Sequence, residues 1–481
     1  MRALFFFRIL ALLLGIVALS MALPLVVGVI YGEAGMIRTF GITMGAVLAL
    51  ALPAAFLTRK QRIFFSAGDG CCVVFLAWTA ACLLGAAPYY LSGYITNFPD
   101  AVFESVSGFT TTGATIIPDI EVLPQSLIFW RAMTHWLGGM GIVALSVALL
   151  PLLGVGAFQL VKAESPGPEK GRIIPKITAN AKLLCLLYVG LTGCEMILLV
   201  IGGMDWFDAA AYAFSTIATG GFSPQNAGAA AYSSPGIHWV IILFMFLGGC
   251  NFTLLYRLFQ GKFREAVNNS EARAYLLIIL CAGGIIFFSL ASQGASVEKN
   301  LRYALFHALS ILTTTGFTLA DHNLWPAAAQ GVLFFLMFLG GCSSSTAGGI
   351  KVIRFLILFK QGKNELMRLL YPRGVFAIRL NRKVGRKDVV YGAAGFVFLY
   401  LVLVFASAFL VSTAGLDPFS SFNAGLLALG NIGLGLGVFS TGVPLLPLPA
   451  YVKWGLSFIM IAGRLELWTA LVFFSRDYWR R

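Results

Sequence analysis

The amino-acid sequence reads as an all-α polytopic membrane protein: two leading transmembrane helices, then four pseudo-symmetric helix–pore-helix–helix repeats around one pore, about ten transmembrane helices in all. Three observations carry that reading. Of 481 residues, 59% are hydrophobic and 11% charged, far from a soluble average. Apolar runs of roughly 20 residues, long enough to span a bilayer, recur along the chain. A short Thr/Gly stretch between long apolar segments occurs three times, with a weaker fourth form at Leu429 to Gly435, and a pseudo-symmetric ring needs equivalent units of this kind.

The leading unit, 1–62, is a hairpin of helices near 4–28 and 36–57, closed by Arg59 to Arg62. The first run exceeds the roughly 7–15 apolar residues of a secretory signal, and no small-residue cleavage site clearly follows, so a retained helix is expected. Four repeats follow, at 63–178, 179–271, 272–386 and 387–481. Their long helices are expected near 70–92 and 126–160, 180–202 and 236–259, 273–293 and 326–360, and 389–413 and 447–475. Each pair brackets a shorter segment, at 99–111, 206–219, 300–315 and 418–430. Roughly 13 residues reach only about 20 Å as a helix against a hydrocarbon core of about 30 Å, so these are re-entrant half-helices. Asp100 and Asp417 stand near two of their starts, where a carboxylate favours a helix N-terminus, and the C-terminal ends point a negative dipole inward that favours a cation.

The net charge of +14 is a matter of topology. Between Lys351 and Lys387 there are eleven Lys or Arg and one acid, Glu365. Other positive clusters lie at Arg59 to Arg62, Lys162 to Lys182, Arg257 to Arg273 and Arg476 to Arg481, alternating with acidic or near-neutral loops such as Asp100 to Glu121. This positive-inside pattern puts both termini in the cytoplasm and leaves no charge for nucleic acid to explain. The eight cysteines form no CxxC pair and sit almost entirely in apolar segments, which supports neither a zinc site nor a disulfide framework. No converging carboxylates or His/Ser/Asp set indicates an enzyme, and a passive scaffold would not need four irregular stretches at membrane depth.

The Thr/Gly stretches carry the chemistry. Glycine reaches positive φ without steric cost, and the residues before it offer carbonyl oxygens that can replace a monovalent cation's hydration shell. The candidate ring residues are Thr111, Thr112 and Gly113; Ala218, Thr219 and Gly220; Thr314, Thr315 and Gly316; and Asn431, Ile432 and Gly433. In the second repeat either Gly220 or Gly221 is the aligned glycine.

The chain resembles the TrkH-like membrane subunit of Trk potassium uptake systems, within the Trk/Ktr/HKT superfamily. The resemblance rests on Gly108 to Ala114, His135 to Ile142, Ser215 to Ser223, Leu312 to Phe317, Gly340 to Lys351 and Gly463 to Glu466, in order along nearly the whole chain. It implies uptake of potassium, the bound and transported ion, with no organic cofactor. It also implies a fold like one tetrameric potassium channel in a single polypeptide, a homodimer with one pore per subunit, and a cytoplasmic nucleotide-binding regulatory partner of the TrkA type. A sodium-coupled or weakly selective Ktr-like cation transporter is the alternative in the same fold.

Three further features accompany the ring. Gly340 to Gly349, with Gly341, Ser343, Ser344, Ser345, Thr346 and Gly348, interrupts an apolar helix with small and polar residues. It is either a flexible loop lining a cavity or a small-residue packing patch; the resemblance implies a gate. Arg464 lies within the last span, where it must face water or a partner. The resemblance implies a pore barrier below the ring, and a structural salt bridge is the other reading. Lys351 either holds the loop or anchors the helix at the cytoplasmic face. Glu195, inside the fifth long helix, is a relay or a packing acid, and the histidines at 135, 238, 307 and 322 are expected near outer helix ends.

The chain also departs from the family pattern. Leu434 stands where the fourth repeat usually carries proline, Ser344 and Ala347 replace loop glycines, and Gly430 and Asn431 lack the hydroxyls of the other repeats. The fourth quadrant is therefore expected to contribute backbone oxygens alone.

Overall fold

The computed structural model describes residues 2–57, 67–153, 177–292, 294–380, 383–384, 387–439, 445 and 447–480. Arg59 to Arg62, most of Lys162 to Lys182, and Arg382 and Arg386 lie outside the described residues. Helices account for the architecture, with one antiparallel ladder of two residues a side, Arg379–Leu380 against Lys383–Val384.

Arg2–Ser20 continues through Met21 into Ala22–Ile30, and Ala34–Leu57 packs back along it. Each repeat then opens with a long descending helix: Ala67–Leu91, Ile177–Ile201, Ser270–Ala291 and Lys387–Ser412. The short helices are Phe98–Phe109, Trp206–Ile217, Val297–Leu312 and Pro418–Gly430, at the four places where short segments are expected. Caps fix three of their starts. Asp205 accepts from Phe207 N, Ser296 Oγ from Lys299 N, and Asp417 from Ser420 N, at 3.1, 3.3 and 3.0 Å, each satisfying an orphan N–H. The first short helix starts on Phe98, with Pro99 in its first turn, after Asn97, which makes no side-chain cap bond, and its Asp100 serves otherwise: Lys453 Nζ donates to it at 2.6 Å, both side chains buried.

From Asp100 to Phe109 every residue is buried, and Asn423 to Gly430 repeats this in the last unit. The short helices therefore form the centre of the molecule, while apolar side chains such as Leu50, Phe56, Phe288, Phe398 and Phe409 are exposed on the long helices. In a lipid-embedded fold that is the expected arrangement: the outer face needs apolar side chains, and the centre can hold irregular backbone only because protein surrounds it.

The returning helices differ from the expectation of four straight spans, of which one is interrupted. All four are interrupted. The first, Gln125–Leu153, is non-helical at Gly141 (φ 74°). The second divides into Pro235–Gly249 and Phe252–Phe259, bent by 109°, and the fourth into Ala450–Arg464 and Trp468–Phe474, bent by 120°. The third separates into Ala327–Leu336 and Val352–Leu370 around a long loop. The cause is local and repeated. Leu137-Gly138-Gly139, Leu247-Gly248-Gly249 and Leu339-Gly340-Gly341 occupy equivalent places, as does Ala462-Gly463-Arg464. In the first and last repeats the first glycine lets the helix touch the end of its own repeat's short helix: a Cβ on Gly138 would lie 2.0 Å from Phe109 O, and one on Gly463 2.1 Å from Leu429 O.

Among the described residues, six helices are long and apolar enough to cross a membrane, and eight if each of the two bent pairs is one span. The chain is thus an all-helical, multi-pass membrane protein.

Candidate functional site

Each short helix ends in the same closure. Thr112 N donates to Ser107 O, Gly220 N to Ser215 O, Thr315 N to Ser310 O and Ile432 N to Leu427 O, at 2.8–3.0 Å. Such six-to-one bonds put the residue before the donor in the left-handed region, usually as glycine. Here it is Thr111, Thr219, Thr314 and Asn431, at φ 53°, 54°, 57° and 53°. Asparagine tolerates this region, whereas a β-branched threonine is an outlier there. A strain of about 1–3 kcal/mol per residue, kept at equivalent positions, marks a functional backbone.

Two residues further on, φ is positive again, at Gly113 (81°), Gly221 (91°), Gly316 (79°) and Gly433 (72°). The second repeat therefore lies one residue later than the Ala218-Thr219-Gly220 register. Its triplet is Thr219-Gly220-Gly221, and Ala218, at φ −72°, is the helix C-cap, equivalent to Thr110, Thr313 and Gly430. Adjacent glycines offered two registers; the backbone conformation selects Gly221.

The four triplets close on one another. A Cβ added to Gly113 would lie 2.2 Å from Gly220 O, on Gly221 2.1 Å from Thr315 O, on Gly316 2.2 Å from Ile432 O, and on Gly433 2.1 Å from Thr112 O. Each glycine thus backs on the preceding carbonyl of the next repeat's triplet, and the fourth returns to the first. The result is a closed ring of four carbonyl oxygens, each packed against a glycine that has no room for a side chain. The threonine hydroxyls are largely engaged within the protein. Thr110 and Thr112 bond each other at 2.8 Å, Thr313 and Thr315 at 2.7 Å, and Thr219 Oγ1 donates to Ala218 O at 2.6 Å. Asn431 Nδ2 donates to Thr112 Oγ1 at 2.9 Å and Met460 O at 3.0 Å. The side chain that replaces the fourth threonine thus ties the seam between the last and first repeats.

The third repeat's loop lies against the ends of the short helices. Gly340 N donates to Ile350 O at 2.8 Å, closing the loop's neck. Within it, Ser344 and Gly349 have positive φ (56° and 64°) and Ser345 Oγ donates to Cys342 O. Gly348 N donates to Thr314 Oγ1 at 2.7 Å, Thr346 Oγ1 to Ile217 O at 2.9 Å and Gly248 O at 3.1 Å, and Ser343 N to Glu271 at 2.6 Å. A Cβ on Gly348 would lie 2.3 Å from Gly430 O, and one on Gly341 2.8 Å from Gly249 O. The loop is therefore tied by hydrogen bonds to the second repeat and to its own repeat's Thr/Gly stretch.

Arg464 completes the enclosure. It follows Gly463 as Gly139 follows Gly138 and Gly249 follows Gly248, so it puts a long side chain where two other repeats carry glycine. Its guanidinium donates to Thr346 O at 2.6 Å, Gly138 O at 2.9 Å and Gly139 O at 3.4 Å, joining loop, first repeat and fourth repeat. The nearby acid, Glu466, pairs with Arg354 at 2.7 Å. Lys351 is buried, and its Nζ donates to Ala347 O inside the loop, so it holds the loop itself.

Sequence reasoning missed the groups behind the ring. Glu104 and Arg131 form a fully buried pair at 2.8 Å, with Arg131 also donating to Ser223 O at 3.3 Å and lying 3.9 Å from the Phe222 ring centroid. His135, expected at an outer helix end, is buried in mid-helix; Phe222 N donates to its Nε2 at 3.2 Å, and a Cβ on Gly220 would meet its ring at 2.4 Å. An acid in a short helix and a base in the returning helix were the available signals. Glu195 is fully buried.

Comparison with known proteins gives the same answer from three directions. A family model described as "Cation transport protein", TrkH, matches residues 38–481. The chain is 37% identical to the Trk system potassium uptake protein TrkH of Halomonas elongata, over 98% of both chains, and 37% identical to that of Escherichia coli, again over 98% of both. The crystal structure of the potassium transporter TrkH from Vibrio parahaemolyticus superposes with a TM-score of 0.89 at 33% identity, covering 100% of both chains. The chain belongs to the TrkH family of cation transport proteins.

Proposed function

We propose that this protein takes up potassium, with rubidium as a substitute, across the bacterial inner membrane through a gated, channel-like pore. One observation carries the proposal: four carbonyl oxygens, of Thr112, Gly220, Thr315 and Ile432, each backed by the preceding unit's glycine in a closed cycle. Such a ring replaces the hydration shell of a monovalent cation, and the short helices direct their negative dipole ends toward it. Relatives named for potassium uptake support the choice of ion. The selectivity filter is then Thr111 to Gly113, Thr219 to Gly221, Thr314 to Gly316 and Asn431 to Gly433. The loop Gly340 to Gly349, with Lys351 and Arg464, is the gate. Two cationic side chains beside a cation path raise an electrostatic barrier, and opening requires Thr346 and Arg464 to release their partners.

The same reading takes the four repeats as 63–178, 179–271, 272–386 and 387–481, and ten crossings, with the broken first and third returning helices completing the count. Both termini are cytoplasmic, the chain forms a homodimer, and a TrkA-type nucleotide-binding subunit docks on the basic inner face that includes Lys360 to Lys387. A weakly selective or sodium-coupled Ktr-like transport is the second reading. It is favoured by Asn431 and Ile432, which break the chemical fourfold symmetry of the ring.

Growth of potassium-uptake-deficient bacteria on limiting potassium tests the function. Expression of the chain restores growth, and Gly316→Ser abolishes the rescue while the protein stays in the membrane. Full rescue by Gly316→Ser and by Gly113→Ser rejects the filter.

A further inference from the structure

Superposing the repeats on their left-handed residues, Thr111, Thr219, Thr314 and Asn431, aligns a second set of side chains. Seven residues before each lies a position facing the chain that leaves the ring: Glu104, Tyr212, His307 and Ala424. Four residues after each lies the start of that outgoing chain: Thr115, Ser223, Thr318 and Gly435.

In three repeats the two positions are joined. Thr115 Oγ1 donates to Glu104 at 3.0 Å, and Ile116 N donates to the same carboxylate at 3.0 Å. Tyr212 OH and Ser223 Oγ bond at 3.0 Å. His307 Nε2 lies 3.3 Å from Thr318 Oγ1 and accepts from Leu319 N at 3.4 Å. Glu104, Tyr212 and His307 are all fully buried.

The residue types follow from what each outgoing chain offers. Where it presents both a hydroxyl and a backbone N–H, as at Thr115-Ile116 and Thr318-Leu319, the partner is an acceptor, a carboxylate or an imidazole nitrogen. In the second repeat Ser223 is followed by Pro224, which has no N–H, and a phenol facing the serine hydroxyl suffices. In the fourth, Ala424 and Gly435 have no polar side chain. The outgoing chain is held from the neighbouring unit instead: His322 Nε2 lies 2.8 Å from Gly435 O.

We propose that Glu104, Tyr212, His307 and, for the fourth quadrant, His322 are positioning residues of the filter. Each ties the outgoing chain back and so fixes the angle at which the ring carbonyls meet the ion. None touches the ion. The four ties are chemically different because the four outgoing chains are, although their place in the fold is the same. The proposal rests on the ring being a potassium filter.

The test uses purified full-length protein in proteoliposomes, with rubidium and sodium uptake measured separately over a concentration series. Wild type takes up rubidium in preference to sodium. Tyr212→Phe, which keeps the ring and removes one hydroxyl, lowers the rubidium-to-sodium ratio about fivefold, the worth of one ordinary hydrogen bond. His307→Leu and His322→Leu do the same, and His307→Gln, which keeps an acceptor, recovers most of the ratio. Half-saturation for rubidium shifts more than maximal rate. Thr43→Ala, which removes a buried hydroxyl bond to Thr39 O in the leading hairpin, outside the four repeats, leaves the ratio unchanged. A wild type with no preference overturns both the filter and this inference. A selective wild type whose Tyr212→Phe and His307→Leu ratios match it overturns this inference alone.

Discussion

The Asn431 side chain donates to Thr112 Oγ1 at 2.9 Å, so the residue that breaks the threonine pattern also joins the last repeat to the first. Asparagine suits this place twice, since it tolerates φ 53° and carries the donor. Asn431→Gly keeps the backbone and loses the bond, while Asn431→Val loses both. Rubidium uptake in proteoliposomes is expected to fall about fivefold for the first and far more for the second. Equal activity of the two variants would show that the bond carries the effect and the left-handed backbone carries none.

The register of the second quadrant is testable by substitution. At Gly221, φ is 91° and a Cβ would lie 2.1 Å from Thr315 O, so Gly221→Ala abolishes growth rescue. Ala218 is helical and outside the ring, so Ala218→Gly retains rescue. The reverse result restores the Ala218-Thr219-Gly220 register.

Arg464 holds loop and first repeat together through three carbonyl oxygens. Arg464→Ala removes those bonds and a positive charge from the path, and rubidium efflux from loaded proteoliposomes should rise several-fold. Arg464→Lys, which keeps the charge but not the fork of donors, falls between. Unchanged efflux in Arg464→Ala removes it from the barrier.

Thr346 Oγ1 pins the loop to the second repeat at Ile217 O and Gly248 O. Thr346→Val preserves shape and deletes both bonds. The hydroxyl has one proton to share between the two carbonyls, worth about 1 kcal/mol in all, so the closed loop becomes less favoured and resting flux increases about fivefold. Shortening Gly340 to Gly349 raises it further.

Asp100 and Lys453 form a buried ion pair between the first short helix and the last returning helix. Losing one partner of such a pair costs about 3–5 kcal/mol, whereas replacing both with fitting apolar groups costs far less. Thermal unfolding in detergent should show Lys453→Met markedly destabilised, and Asp100→Leu with Lys453→Met partly restored. Simple addition of the two single effects would deny the coupling.

Much of the fold is legible in the residues. The short helices are flanked by Asp205, Ser296 or Asp417 at one end and by Thr/Gly at the other, and their length alone makes them re-entrant. The breaks in the returning helices are less legible, because Leu-Gly-Gly reads as close helix packing until its three occurrences are superposed. Arg464 is hidden for the same reason: only alignment to Gly139 and Gly249 shows a long side chain where two other repeats carry glycine. The order of the loop is set by contacts from three other segments of the chain, at Glu271, Ile217 and Thr314, which no local pattern encodes. His135 and Glu104 act on residues about 90 and 11 positions away, and only folding brings them to the ring.

Anomalous diffraction from crystals grown in rubidium tests the central claim most directly. The account predicts a peak on the axis of the ring, within coordination distance of the carbonyl oxygens of Thr112, Gly220, Thr315 and Ile432, and its loss in Gly316→Ser crystals. A ring empty of rubidium, with the ion bound elsewhere along the path, would contradict it.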